Sequence, residues 1–178
     1  ERMGTSMARI SYDNDADLDL FVANASAANN LYMNNGDGTF TPVTRGSIVR
    51  DVANSFGSSA GDFDNDGDQD VYVANDRSAN YLYMNSGNGT FQRITAGDDA
   101  LLSAKVWGLA FADSDLDGDA DLFIANKENQ KNSFFTNNGN ENHWLKLKLQ
   151  AGSLSNAFGI GTKVEVEARS DGANTRQT

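Results

Sequence analysis

Asp62-Phe63-Asp64-Asn65-Asp66-Gly67-Asp68-Gln69-Asp70 is the stretch on which the reading of this chain turns. It recurs as Asp113-Ser114-Asp115-Leu116-Asp117-Gly118-Asp119-Ala120-Asp121 and, more weakly, as Ser11-Tyr12-Asp13-Asn14-Asp15-Ala16-Asp17-Leu18-Asp19. The closing Asp falls at 19, 70 and 121, a period of 51 residues. Self-similarity at a fixed period of this size points to a repeat architecture. The two better copies carry carboxylates at loop positions 1, 3, 5 and 9 and Gly at position 6. Alternate residues of a tight loop point at one centre, where several carboxylates repel unless a cation lies between them. An all-oxygen set suits a hard ion taking 6–8 oxygens, so Ca2+ is expected before Mg2+. Gly67 and Gly118 suit a sharp turn with positive φ.

At position 7, Asp17, Asp68 and Asp119 are expected to offer the backbone carbonyl, with the side chain directed to water. Asp68→Ala should then be mild. Asp, Asn and Gly are also ordinary turn residues, but three copies in register, each followed by an apolar run, favour a metal loop over solvated acidic turns. An EF-hand needs a bidentate Glu at position 12 and flanking helices. Position 12 here is Val22, Val73 or Ile124, which excludes it.

Around the loops the pattern is that of short strands. Residues 1–10, Ser55-Phe56-Gly57-Ser58-Ser59-Ala60-Gly61 and Val106-Trp107-Gly108-Leu109-Ala110-Phe111-Ala112 lead into the three loops. Trp107 is read as blade core rather than a ligand platform. After the loops come Leu20-Phe21-Val22-Ala23-Asn24, Val71-Tyr72-Val73-Ala74-Asn75 and Leu122-Phe123-Ile124-Ala125-Asn126, too short for helices and apolar enough for burial on both faces. A third strand, Asn30–Asn34 or Tyr81–Asn85, closes in Asn35-Gly36-Asp37-Gly38 or Ser86-Gly87-Asn88-Gly89. Asn-Gly steps favour hairpins because both residues tolerate positive φ. A fourth strand follows at Thr39–Thr41 or Thr90–Thr95.

Four short strands per period match a propeller blade. The third copy drifts after its loop: Ser133–Thr136 is its third strand, and no fourth is recognisable. The expected fold is therefore all-β: residues 1–141 form three four-stranded blades of a partial β-propeller with Asp-rich calcium loops, and 142–178 begin a second β domain. In that second part Leu145-Lys146-Leu147-Lys148-Leu149 and Val164-Glu165-Val166-Glu167-Ala168 alternate with period 2.

The formal charge is −11, and the three loops hold four, five and five of the 25 acidic residues, leaving the rest slightly basic. Acidity is thus a property of the loops. With no basic patch to neutralise phosphates, the balance argues against nucleic acid and anionic membranes as partners. No apolar run approaches the 18 residues of a membrane span. There is no Cys, so disulfide patterns are silent. The chain starts at Glu1 and reads as a fragment.

The loops, the Phe-Val-Ala-Asn and Tyr-Val-Ala-Asn strand ends and the Leu-Tyr-Met-Asn strands resemble the FG-GAP and VCBS repeats, which form calcium-binding propeller blades, as in integrin α heads. Asn142-His143-Trp144-Leu145-Lys146-Leu147 and Gly159-Ile160-Gly161-Thr162-Lys163-Val164 resemble the start of an ASPIC/UnbV domain. By position, the resemblance makes Asp62, Asp64, Asp66 and Asp70 calcium ligands, with the carbonyl of Asp68. In the third blade the same roles fall on Asp113, Asp115, Asp117 and Asp121, with the carbonyl of Asp119. The first loop departs from the pattern, with Ser11 for the first carboxylate and Ala16 for Gly; Asp13, Asp15 and Asp19 remain, with the carbonyl of Asp17.

The implied function is a secreted or cell-surface, non-catalytic calcium scaffold that binds an extracellular protein or carbohydrate. The alternative is a calcium-dependent propeller enzyme acting on polysaccharides, a lyase or hydrolase. Identically repeated Asp groups speak against a catalytic site, which should be unique, though one could lie in further blades. His143, the single His, is read as structural. Blade number and oligomeric state stay open.

Overall fold

A computed structural model of the chain describes residues 3–15, 17–95, 105–140, 164, 166–170 and 173–177. The chain divides into two compact units, Glu1–Asn142 and His143–Thr178. The strands run in order β1 Met3–Ile10, β2 Asp19–Ala25, β3 Ala27–Ala28, β4 Asn30–Asn34, β5 Phe40–Pro42, β6 Val52–Ala53, β7 Ser55–Gly61, β8 Asp70–Asn75, β9 Tyr81–Asn85, β10 Phe91–Ile94, β11 Val106–Ala112, β12 Asp121–Asn126, β13 Ser133–Phe135, β14 Val166–Ser170 and β15 Ala173–Gln177. One 3-10 turn, Ser47–Val49, interrupts them.

In the first unit the strands form antiparallel sheets ordered β1-β2-β4-β5, β7-β8-β9-β10 and β11-β12-β13, with β3 paired to β6. The expected four-stranded meander is therefore present twice. The third sheet has three strands among the described residues. In the second unit β14 pairs with β15. Of its expected strands, the one at 145–149 lies outside the described residues, as do His143 and 158–162. The other begins at Val166 rather than Val164 and runs on to Ser170.

Burial shows how the sheets pack. Side chains alternate along a strand, so Val71 and Val73 face one way while Tyr72 and Ala74 face the other. Val71, Val73, Tyr81 and Tyr83 share one core with Ala8, Ile10, Phe21, Ala23 and Leu31 of the first sheet. Tyr72, Ala74 and Leu82 share a second core with Val106, Leu122 and Ile124 of the third. The middle sheet is thus covered on both faces, and every residue of β8 is buried. The expectation of two-sided burial holds for β8 alone: β2 and β12 each leave several residues half-buried or exposed, because each belongs to an outer sheet.

The leading strands approach closely. A Cβ on Gly57 would stand 3.2 Å from the Cα of Gly108, and Ser6 and Ser58 hydroxyls meet at 3.1 Å. Each leading strand carries a bulge at the same repeat position: the register slips between Gly4 and Ser6, Ser55 and Gly57, and Val106 and Gly108. The extra residues are Thr5, Phe56 and Trp107. This corrects the expectation for Trp107, which is 66% exposed and not core. The bulge breaks the alternation that would have turned it inward.

Candidate metal centre

Each Asp loop joins a leading strand to the next strand of its sheet, β1 to β2, β7 to β8 and β11 to β12. Its geometry is built by its own carboxylates. In the second loop Asp62 Oδ2 accepts from Gly67 N at 3.0 Å, and Asp66 Oδ1 accepts from Asp68 N at 2.9 Å. In the third loop Asp113 Oδ2 accepts from Gly118 N at 3.3 Å, and Asp117 Oδ1 from Asp119 N at 3.0 Å. Gly67 and Gly118 have φ of 94° and 98°, the left-handed region that the sharp turn requires. Position 4 is left-handed as well, at Asn14, Asn65 and Leu116.

The result is a concentration of oxygen. In the second loop, carboxylate atoms of Asp62, Asp64 and Asp70 lie within 4.8 Å of one another, and in the third loop those of Asp113, Asp115 and Asp117 do so. Asp66 and Asp121, expected in the same sets, stand outside these trios. No such trio is formed by the described carboxylates of the first loop, Asp13, Asp15, Asp17 and Asp19. Ser11 there turns its backbone N–H to Gln69 Oε1 of the neighbouring loop, at 2.8 Å. Ala16 lies outside the described residues.

The position-9 carboxylate has a second task that spacing did not reveal. Asp19, Asp70 and Asp121 are each about 1% exposed. Each accepts one bond from the backbone N–H at loop position 2 and one from the end of the third strand of its own sheet. The partners are Tyr12 and Asn34 for Asp19, Phe63 and Asn85 for Asp70, and Ser114 and Asn137 for Asp121. This Asp locks the loop onto its sheet whether or not an ion is bound.

Electrostatics set the loops apart. Burial raises the Asp70 carboxyl to about 7, against the lowering pull of the Asn85 and Phe63 amides. Burial, and then the charge of Asp66, raises Asp62; Asp66 is raised by burial and by Asp64 and Asp68. In the first loop burial raises Asp13 and Asp19. Asp121 is lowered instead, chiefly because the Ser114 hydroxyl donates to it. The Asp62 and Asp113 trios, three close carboxylates each, are the donor type that a hard divalent cation fits.

The position-7 side chains do not point to water as expected. Asn14 Nδ2 donates to Asp68 Oδ1 at 2.5 Å, and Asn65 Nδ2 donates likewise to Asp119 Oδ1, in each case from one loop to the next. The same carboxylates sit over the hairpin glycines. A Cβ on Gly36, Gly87 or Gly139 would collide with Oδ2 of Asp17, Asp68 or Asp119. Asn85 Nδ2 also reaches back to the Tyr12 carbonyl, and Asn137 Nδ2 to that of Phe63. The loops are therefore stitched in series. The signal for these Asn residues was their recurrence, Asn14 and Asn65 51 positions apart and Asn85 and Asn137 52 apart, which a ligand-only reading of the loop passes over.

The profile of the FG-GAP-like repeat family matches residues 12–73 and again 62–124. Cartilage acidic protein 1 of Xenopus tropicalis is 29% identical over 116 residues, which cover 64% of this chain and 18% of that relative. The chain thus spans under a fifth of the relative's length. Each matched segment runs from one Asp loop through the next and into the strand beyond it, and on this evidence the chain belongs to the FG-GAP-like repeat family.

Proposed function

We propose that the chain is a calcium-binding part of an extracellular repeat protein, a non-catalytic scaffold whose blades belong to a propeller and whose partner is a protein or a carbohydrate. The observation that carries this reading is the convergence of Asp62, Asp64 and Asp70, and again of Asp113, Asp115 and Asp117, within 4.8 Å. Bound there, the ion supplies positive charge that offsets carboxylate repulsion. The chain's own part is to hold the oxygens in place through Asp70, Asp121 and the turn amides. The FG-GAP-like match and the cartilage protein relative support an extracellular setting. Among the described residues no helix is long and apolar enough to cross a membrane. Residues 142–178 are assigned to the beginning of an ASPIC/UnbV domain on the motifs at 142–147 and 159–164.

Thermal melts in calcium and in EDTA test the proposal. An ion that binds only the folded state adds roughly 2.7 kcal/mol per site at a hundredfold excess over Kd. Extracellular calcium modules bind at about 10⁻⁴–10⁻³ M, so millimolar calcium should raise Tm by several degrees. Equal melting temperatures in the two conditions refute the calcium assignment.

A further inference from the structure

We propose that the strand ends opposite the Asp loops carry a site for a neutral oligosaccharide, formed by Trp107, Asp76, Arg77 and Ser78. This rests on reading the chain as a binding module and names its ligand class. At this end β8 and β12 finish and β7 and β11 begin, so the residues after Asn75 and Asn126 meet the bulges at Phe56 and Trp107. The repeat positions are equivalent, yet their occupants differ. Ala25, Asp76 and Lys127 correspond, as do Ser26, Arg77 and Glu128, and Thr5, Phe56 and Trp107. Unlike the Asp loops, this end has a constellation that no two sheets share.

Two features indicate that the constellation is built to meet a ligand. Ser26, Arg77 and Glu128 all adopt left-handed backbone, with φ of 57°, 61° and 56°. Long side chains rarely accept that conformation, and such residues gather at functional sites. It leaves Arg77 two-thirds exposed, as the bulge leaves Trp107. Further, Asp76 is 8% exposed and its Oδ1 has no hydrogen-bond partner, nor has the buried Ser78 hydroxyl. A buried carboxylate oxygen and a hydroxyl without partners are rare in folded proteins. Each is closed to solvent here and would bond a ligand's hydroxyl group once a side-chain rotation exposes it.

Charge decides the ligand class. Asp76 Oδ2 is held by Lys127 Nζ at 3.1 Å, and that ammonium also lies 4.7 Å from the Phe56 ring and 5.3 Å from the Trp107 ring. Glu128 is paired with Lys105 and lies 3.9 Å from Arg77. Both carboxylates already have cations, so a basic peptide finds no uncompensated charge. An anionic ligand finds no free cation either, since Lys127 and Lys105 are paired and Arg77 lies 3.9 Å from both Asp76 and Glu128. What remains is an open indole face, which the apolar C–H face of a pyranose covers, beside acceptors and donors for its hydroxyls.

The test is binding of the full chain, in calcium, to an array of neutral oligosaccharides (β-glucan, mannan, galactan and N-acetylglucosamine oligomers). Hits are then titrated by calorimetry. Trp107→Ala should weaken binding about thirtyfold, Trp107→Phe far less, and Ser78→Ala measurably, with the melting temperature of the exposed Trp107 variants unchanged. No neutral oligosaccharide bound, equal affinity in Trp107→Ala, or binding only to acidic glycans or peptides would overturn the proposal. The calcium dependence of the melting temperature is read on the same samples, so loss of glycan binding leaves the calcium reading separately judged.

Discussion

At the scale of single residues the Asp loops mix two jobs that the sequence writes in one letter. Asp68 looks like a spectator beside the trio of Asp62, Asp64 and Asp70, yet it accepts from Asn14 and sits on Gly87. A hydrogen bond to a charged group contributes roughly 1.5–3 kcal/mol when well formed. Partial exposure reduces this, so Asp68→Ala should cost about 1 kcal/mol in EDTA as well as in calcium. Asn14→Ala should cost a similar amount, and the double variant should show coupling in a thermodynamic cycle. Additive effects would mean that the contact contributes nothing. The pH response follows from Asp70. Without the ion its carboxyl keeps its proton in the fold up to about 7, whereas an unfolded Asp loses it near 3.9, roughly the ordinary value. The folded form then binds more protons across that window, so stability in EDTA falls as pH rises from roughly 4 to 7. Asp62, Asp66, Asp13 and Asp19 are raised too and add to this fall; Asp121, which is lowered, acts only below roughly pH 4, outside this window. Calcium needs the deprotonated carboxylates, so the shift in melting temperature that it produces should grow over the same range. A shift that is flat with pH would break the link between these carboxylates and the ion.

Among the elements, loops and strands were legible in the sequence to different degrees. The period of 51 located the loops, the strands beside them and the hairpin glycines, because each depends on a local rule: alternating carboxylates, short β-branched runs, or Asn-Gly turns. Left-handed Leu116 was not legible, since no local rule puts Leu there, and neither was the bulge that expels Trp107, which exists only in the pairing of β11 with β12. The strand-closing Asn residues were visible only as boundaries. In the structure Asn75 donates to the Ala79 carbonyl at 2.8 Å, and its backbone N–H meets Asn80 Oδ1 at 2.8 Å, closing the β8–β9 connection with a side chain that is fully buried. Asn24 does the same for β2–β4 and Asn126 for β12–β13. Losing a buried, fully bonded amide costs about 1–3 kcal/mol, so Asn75→Ala should lower Tm more than Asn126→Ala, whose connection is the more exposed. For the ions, ranking follows from the loops themselves. The second and third loops assemble trios and the first does not, so calorimetric titration should find two tighter sites and one weaker or absent. Strongest binding lost on Asp13→Ala would invert that order.

For the molecule as a whole, the covered middle sheet shows what the outer sheets lack. Phe21 and Tyr72 are fully buried at the position where Phe123 is 42% exposed, and Leu31 and Leu82 are buried where Phe134 is 53% exposed. The two Phe residues face each other across β12 and β13, so one apolar patch occupies that face of the third sheet. At the other end Val71, Val73 and Tyr83 are buried, whereas the matching Leu20, Val22 and Tyr32 are only half-buried, and Met7 beside them is 70% exposed. Phe40 is 48% exposed, while its counterpart Phe91 stacks on Tyr12 of the preceding sheet with centroids 6.0 Å apart. The two end faces carry the residue types that the inner interfaces bury, and they lie on the two outer sheets of the first unit. Contact between copies through them is head-to-tail, and such contacts do not stop at two unless the rotation closes. The 178-residue chain in calcium should therefore show an average mass by light scattering that climbs with concentration. Replacing Phe123 by Lys and Phe134 by Glu, an opposite-charge pair directly across β12 and β13, should hold it monomeric at a modest cost in Tm, since both side chains are partly buried in the single copy. A wild-type chain that stays monomeric at high concentration would show that these faces do not bind each other, and that the burial of Phe21 and Tyr72 depends on connection within one chain.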